Sequence, residues 1–296
     1  MSPHHQEELN PVDTPKVSGY IPCYNNASTI ADAIEGLRNQ SMPVDEIFVV
    51  DDGSTDKSVK VIRETGVELV VHSRNLGRGA TRRDAMEKAR HEFVLCCDAT
   101  NSLEPDFLKK AIRHFKSEEV CSVSGRIMGK KPRSAVDRWR SRHLFKEQVV
   151  FPKSSQSKML ITYGTLMRRS SVLEVGNFNA NLRHTEDHEL GNRLLAAGHQ
   201  IWGDSTLIVT SLVRNTLREI MERYWRWHAG KDEKFHLATY WHDIKGSIKP
   251  MASTDLAQKD WICACISLMS PHYRFLKTIK NAVARKYGRQ TNRTNE

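Results

Sequence analysis

The six cysteines of this chain, Cys23, Cys96, Cys97, Cys121, Cys263 and Cys265, include no Cys-x-x-Cys pair. That spacing speaks against a zinc site. Cys96 and Cys97 fall inside the apolar run Phe93–Cys97, and the set reads as small core residues of a reducing compartment. No apolar run approaches the roughly 20 residues that span a bilayer. The opening Met1-Ser2-Pro3-His4-His5 lacks the apolar core of a signal peptide. The expected location is the cytoplasm, with contact at the inner face of a membrane left open. No glycine follows the first apolar run, which ends in Pro22-Cys23-Tyr24-Asn25, so the dinucleotide-binding fingerprint is missing. Gly77-Arg78-Gly79 occurs later, but Arg82 stands where a third glycine would be. There is no Gly-Lys-Ser/Thr run either, which disfavours P-loop chemistry as well as hydride transfer. Internal repeats and low-complexity segments are also lacking.

What is present is a globular composition. The chain has 296 residues, 39% hydrophobic and 27% charged, and a formal net charge of +10. These numbers allow one large or two medium domains with a real core. The positive excess favours anionic partners: nucleotides, phosphates, nucleic acid or an anionic membrane surface. A nucleic-acid binder should show a basic stripe interleaved with stacking aromatics. Only Lys130–Lys146 comes close, and nucleic acid is not the expected partner.

Strand and helix patterns alternate. Strands are expected at Val17–Pro22, Glu46–Asp51, Glu68–His72, Phe93–Cys97 and Val120–Ser124. Helices are expected from Ser28 to Asn39, from Ser54 or Thr55 to near Gly66, from Gly79 to Arg90, and from Pro105 to Lys116. This rhythm implies an α/β fold, a mainly parallel sheet with helices on both faces. The pattern loosens between Gly129 and Lys158. Helices return at Thr185–Ala197 and Leu217–His228. The division expected is a flexible leader over 1–15, an α/β domain over 16–245, and a helical, basic extension over 246–296.

In a parallel sheet the loops after successive strands line one edge, where ligands bind. Four such clusters carry polar residues: Pro22-Cys23-Tyr24-Asn25, Asp51-Asp52-Gly53, Asn75-Leu76-Gly77 with Arg82 and Arg83 beyond it, and Asp98-Ala99-Thr100-Asn101. A strand-end turn explains each singly. Together, an aromatic ring, carboxylates and arginines suit a nucleotide, with the base stacked, its edge read and its phosphates met.

These residues carry a resemblance. Ile21–Asn25, Val49–Asp56, Asn75-Leu76-Gly77 and Leu103–Leu108 resemble, in order and spacing, the family 2 glycosyltransferases of GT-A fold. Tyr163–Arg169, Val175–Phe178 and Thr185–Leu190 resemble that family's second half, so the similarity covers about residues 16–230. The implied fold is a three-layer α/β/α GT-A domain. The implied reaction moves a sugar from a nucleotide-diphosphate sugar, UDP- or GDP-linked, to a hydroxyl of a glycan or lipid-linked acceptor, with inversion. The implied nucleotide site comprises Pro22, Tyr24, Asn25, Asp51, Asp52, Asn75, Arg82 and Asp98, with Tyr24 against the base and Asp52 the likelier of the two acids to touch the nucleoside. Asp98 matches the first acid of the family's Asp-x-Asp metal motif. The second acid is replaced by Thr100, followed by Asn101. Magnesium commonly uses one or two carboxylates plus substrate phosphates, so Mg2+ or Mn2+ on Asp98 and the donor diphosphate is expected.

Two readings compete at Thr185-Glu186-Asp187. Thr185 as a helix cap with acids in the first turn explains the run without function. The resemblance instead makes Asp187 the general base, with Glu186 as its stand-in; the helix terminus would keep Asp187 ionised while weakening it as a base. Arg223, Arg226 and Trp227 share one helix face and, with His228, resemble the family's Gln-x-x-Arg-Trp motif near the diphosphate and acceptor. Helix pairs Glu219–Arg223 and Glu222–Arg226 account for the arginines otherwise. Basic residues between Lys130 and Lys146 are further candidates for holding the donor or an anionic acceptor. In the tail, Phe275, Leu276, Ile279, Ala282 and Val283 recur at helical spacing among Arg274, Lys277, Lys280, Arg285 and Lys286. That stripe suits an anionic membrane or packing on the catalytic domain, and packing is the expectation; disorder is expected from Arg289. The rival functions are a non-catalytic nucleotide-sugar-binding protein with an eroded metal motif and a sugar-nucleotide pyrophosphorylase. The latter usually has a glycine-rich basic loop after the first strand, which Pro22–Ala27 does not supply.

Overall fold

A computed structural model of the chain describes the backbone of residues 15–228 and 236–291, and the side chains within these except at 226–228 and 284–291. The expected leader over 1–15 lies almost wholly outside the described residues, as do residues 292–296 of the expected disordered end. Two compact units are formed, one from residues 1–128 and 151–213, the other from 129–150 and 214–296.

The first unit opens with strand β1 (Val17–Cys23), helix α1 (Ile30–Arg38), β2 (Glu46–Asp51), α2 (Ser58–Thr65), β3 (Glu68–Val71), α3 (Arg78–Lys88) and β4 (Phe93–Cys97). It continues through β5 (Asn101–Leu103), α4 (Phe107–Ala111) and β6 (Val120–Gly129). The first strands pair in parallel in the order β3-β2-β1-β4. Their carboxyl ends therefore share one edge, as the sequence predicts.

After the residues that belong to the second unit, which include helix α5 (Ala135–Trp139), the first unit resumes. It adds β7 (Ser154–Ser157), β8 (Gly164–Arg168), α6 (Arg169–Glu174), α7 (Glu186–Ala196) and β9 (Gln200–Ser211). Strand β8 joins β4 antiparallel and β6 joins β8 antiparallel, while β9 takes both β5 and β7 antiparallel. The sheet is thus mixed, with its parallel half carrying the four strand-end clusters.

The period of two along each strand explains the layers. Ile21, Val49, Leu95 and Cys97 enter one core with Ile34 and Leu37 of α1 and Phe107 of α4. Their neighbours Tyr20, Phe48, Val50, Val94 and Cys96 enter a second core with Met86 of α3, Val172 of α6 and Leu190 of α7. Strands buried on both faces need helices on both faces.

Several element boundaries differ from expectation. Helix α1 begins at Ile30 after Thr29, with no side-chain cap, rather than at Ser28. Helix α2 begins at Ser58, because the Ser54 hydroxyl that might have capped it donates to Asp51 Oδ1 at 2.5 Å. Helix α4 is short and continues as a 3-10 turn over Ile112–Lys116. Strand β6 runs five residues beyond Ser124, to Gly129.

Gly53 sits at φ +70°, and a Cβ there would lie 2.6 Å from the carbonyl carbon of Arg74. The β2 loop and the β3 loop touch at this point. Gly53→Ala combines a left-handed backbone with a backbone clash and is expected to cost about 1–3 kcal/mol. Urea denaturation checks it, and an unchanged midpoint would refute the close contact.

In the second unit, α5 is joined by α8 (Leu217–His228), α9 (Leu237–Gly246), α10 (Ser253–Ala257) and α11 (Trp261–Thr291). Its core is Trp139, Ile220, Met221, Tyr224, Cys263 and Ile266. Helix α8 starts with a capping box: Glu219 Oε2 accepts from Thr216 N at 2.9 Å, and Thr216 Oγ1 accepts from Glu219 N at 3.3 Å.

Candidate active site

The loop after β1 is stitched to the loop after β2. Asn25, at φ +54°, accepts at Oδ1 from Thr55 N (2.8 Å) and donates its own amide to Ser54 Oγ (2.9 Å). Asn26 N and Ala27 N donate to Ser58 Oγ and Asp56 Oδ2. Asn25 is thus a loop clasp. Pro22 pairs with Val50 in the parallel ladder, and Tyr24 beside it is 45% exposed, a ring offered to solvent at the strand-end edge.

Asp51 and Asp52 are both buried. Asp51 accepts from Ser54 N (2.8 Å) and Ser54 Oγ. Asp52 Oδ1 meets His72 Nδ1 at 2.8 Å and accepts from Leu76 N at 2.8 Å; Oδ2 accepts from Gly77 N at 2.8 Å. His72 Nε2 lies 2.9 Å from Asp84 Oδ2. The second acid therefore holds the Asn75-Leu76-Gly77 loop to the sheet. A nucleoside contact by either acid would compete with these bonds. Asn75 is clasped in turn by Arg183, whose guanidinium donates to its carbonyl at 3.3 Å and to its side-chain oxygen.

Arg82 is 2% exposed and binds in four directions. Nη2 donates to Asp98 Oδ1 at 2.8 Å, Nε to Glu186 Oε1 at 3.1 Å, and Nη1 to Cys96 Sγ at 2.8 Å and Tyr20 Oη at 3.3 Å. The guanidinium ties the acid after β4 to the first turn of α7. Burial pushes the Cys96 thiol up to about 11, against the pull of Arg82, so it stays protonated. Asp98 keeps Oδ2 without a partner among the described residues, and its side chain is 30% exposed. Thr100 gives its carbonyl to Leu212 N, and Asn101 is buried with its amide on Tyr163 O at 3.0 Å.

Thr185 does not act as the expected cap. It sits at φ +62°, unusual for a β-branched residue, and its hydroxyl donates to His184 O. Glu186 is 2% exposed, and its Oε2 is buried without a hydrogen-bond partner. Such an orphan oxygen calls for a partner from outside the chain, a water or a ligand. Asp187 Oδ1 accepts from His188 N at 2.8 Å, and Oδ2 lies 3.5 Å from Thr162 Oγ1. Burial, helped by the neighbouring Glu186 charge, raises the Asp187 carboxyl above its ordinary value, against Arg82 and the His188 amide. The helix terminus is expected to weaken this residue as a base; burial acts in the opposite sense.

Arg223 lies on α8 of the second unit and lines an open cleft there with Asn215, Thr216, Arg218, Glu219 and Glu222. The side chains of Arg226, Trp227 and His228 lie outside the described residues. In the basic stretch Lys130–Lys146, four residues are engaged within their own unit. Arg138 donates to Asp260 at 2.7 Å, Arg142 and His143 meet the fully buried Asp255, and Arg140 donates to Asn215 at 2.9 Å.

Sequence reading missed His72, Asp84, Arg183, Thr162 and Tyr20. All except Thr162 and Arg183 sit within or next to elements it located. Their partners come from distant chain segments, and no local pattern marks them.

The parallel strand-end site with a mixed flank is the GT-A architecture. One solved neighbour is the Pyrobaculum calidifontis mannosyltransferase PcManGT in complex with GDP-Man and Mn2+. It has a TM-score of 0.60 at 17% identity, covering 88% of this chain and 87% of that one. Another is S. aureus TarS 1–349 in complex with UDP, with a TM-score of 0.54 at 15% identity over 92% of each chain. Residues 18–176 match Glycosyl transferase family 2, and the chain belongs to that family. Among curated relatives, the poly-β-1,6-N-acetyl-D-glucosamine synthase of Staphylococcus epidermidis is 23% identical over 270 residues, 86% of this chain and 64% of the relative. The chain spans less than two thirds of the length of the first curated relatives it matches.

Proposed function

We propose that this chain is an inverting glycosyltransferase that moves a sugar from a nucleotide-diphosphate sugar, UDP- or GDP-linked, to a hydroxyl of a glycan or lipid-linked acceptor. The observation that carries the reading is Arg82, which joins Asp98 to Glu186 through one buried guanidinium. The donor-side acid and the turn that bears Asp187 thereby belong to one rigid cluster. Relatives named as polysaccharide synthases, and neighbours solved with GDP-Man and with UDP, support the substrate class.

In this reading Asp187 accepts the acceptor's hydroxyl proton, and the freed oxygen pair attacks the anomeric carbon from the face opposite the diphosphate. The bond from that carbon to the diphosphate oxygen breaks, and the leaving group keeps the electron pair. A carboxylate with a raised pKa is, when ionised, a stronger base than an ordinary aspartate. Tyr24 offers the base a stacking face, while Asp51, Asp52, Asn25 and Asn75 hold the loops around it. Arg223 and Arg226, by their motif resemblance, are candidates for neutralising the diphosphate.

Asp98 Oδ2, partly exposed and unpartnered, fits a one-carboxylate site for Mg2+ or Mn2+ completed by phosphate oxygens. A bound divalent ion would supply charge neutralisation to the departing diphosphate. Binding tests the assignment. UDP or GDP with Mn2+ should raise the melting temperature of the wild type, and Asp98→Asn should lose most of the metal-dependent part of that rise. An equal shift in the variant, or none across a panel of nucleotide sugars, would remove the donor assignment.

A further inference from the structure

Helix α11 exposes a broad apolar face besides the one it buries. Its inward side carries Cys263, Ala264, Ile266, Ser267, Ser270 and Thr278, all buried, while Trp261, Ile262, Leu268, Leu276, Ile279 and Val283 are exposed. Trp261 is 70% exposed, Leu276 64% and Val283 48%. At 100° per residue these positions fall within one band of the helix surface, about 33 Å long at 1.5 Å per residue. Within its own unit the tail stripe has Phe275 partly covered, by Tyr240 of α9 at 4.5 Å. Beside Tyr240 stands Trp241, 55% exposed.

Charge is divided sharply between the units. Of the 45 lysines and arginines, 23 lie in the second unit with only 10 of the 35 acids; the first unit has 22 against 25. The whole positive excess of the chain therefore belongs to the unit that carries α11. Arg274 and Lys277 on α11 are paired to Asp243 and Glu222. Lys245, Lys249, Lys259 and Lys280 are exposed and pair with no described acid.

We infer that the exposed face of α11 docks on an anionic lipid surface, its apolar band entering the headgroup boundary and the lysines of the unit meeting acidic headgroups. Charge selects this occupant. A second copy of the same unit would bring two strongly cationic surfaces together, whereas acidic lipids complement them. No helix among the described residues is long and apolar enough to cross a membrane, so the contact is one helix face deep.

The test is co-sedimentation of the full chain with vesicles of phosphatidylcholine alone and of phosphatidylcholine with 30 mol% phosphatidylglycerol, in low and high salt. Binding is expected on the acidic vesicles and should weaken at high salt. Leu276→Glu with Ile279→Glu should lower the partition at least about tenfold. Both positions are exposed, so melting temperature should not move, and a milder Trp261→Ser variant reads the same face if it does. Absence of binding to acidic vesicles, or equal binding by the variants, overturns the inference. So does self-association seen by light scattering that these substitutions abolish. The site around Asp187 plays no part in this test, so its outcome is independent of the catalytic reading.

Discussion

Asp187→Asn is expected to lower turnover by about 10²–10⁴-fold, the usual worth of a positioned general base. Donor affinity should be unchanged. Asparagine keeps the size of the side chain and can keep the bond from His188 N, which is 2.8 Å in the wild type. What it loses is the ability to take a proton. The same residue sets the pH profile. Burial and Glu186 raise its carboxyl, so the acidic limb of kcat/KM should lie above the ordinary aspartate value of about 3.9. Activity should be full above that raised pKa and fall as the pH drops through it. In Asp187→Asn the remaining activity should lose this limb. A variant with wild-type turnover would assign the proton to another group, and a protein that binds donor but never turns over would be a binding module.

Arg82→Met should be the most damaging change to stability within the site, at about 3–5 kcal/mol, the range for breaking a buried ion pair from one side. The guanidinium is 2% exposed and serves Asp98 and Glu186 together. Removing it leaves Glu186, also 2% exposed, with a second buried oxygen lacking a partner. Adding Glu186→Gln to the Arg82→Met background should recover part of the loss, because the orphaned charge goes with it. A double-mutant cycle by chemical denaturation reads the coupling. Additive effects would show that the two residues do not act as a unit.

The contrast between Asp51-Asp52 and Arg82 shows how much of the site was legible. The position of the two acids at the end of a buried strand could be read directly, since a β-branched apolar run such as Glu46–Asp51 reads as a strand with both faces covered. Their task could not. Ser54 engages Asp51, and Leu76, Gly77 and His72 engage Asp52; 24 and 25 residues separate Asp52 from the loop it holds. Arg82 was marked as a candidate nucleotide contact, yet it faces inward, toward a carboxylate 104 residues away. The partners of the basic stretch Arg138–His143 are illegible for the same reason: Asp255 and Asp260 lie more than a hundred residues on.

Sequence by itself determined the alternation of strands and helices, the edge at which ligands gather, the family, and the identity of Asp98 and Asp187 as the acids to watch. The first two follow from short-range periodicity and from order along the chain, the last two from the resemblance its motifs carry. Tertiary structure alone decided which charges are spent on the fold and which remain for chemistry. It put Arg82 between Asp98 and Glu186, raised the Asp187 carboxyl by burial, and left the apolar face of α11 in solvent. The physical reason is common to all three: pairing and desolvation depend on what lies across space, and no local pattern in a chain records its distant neighbours.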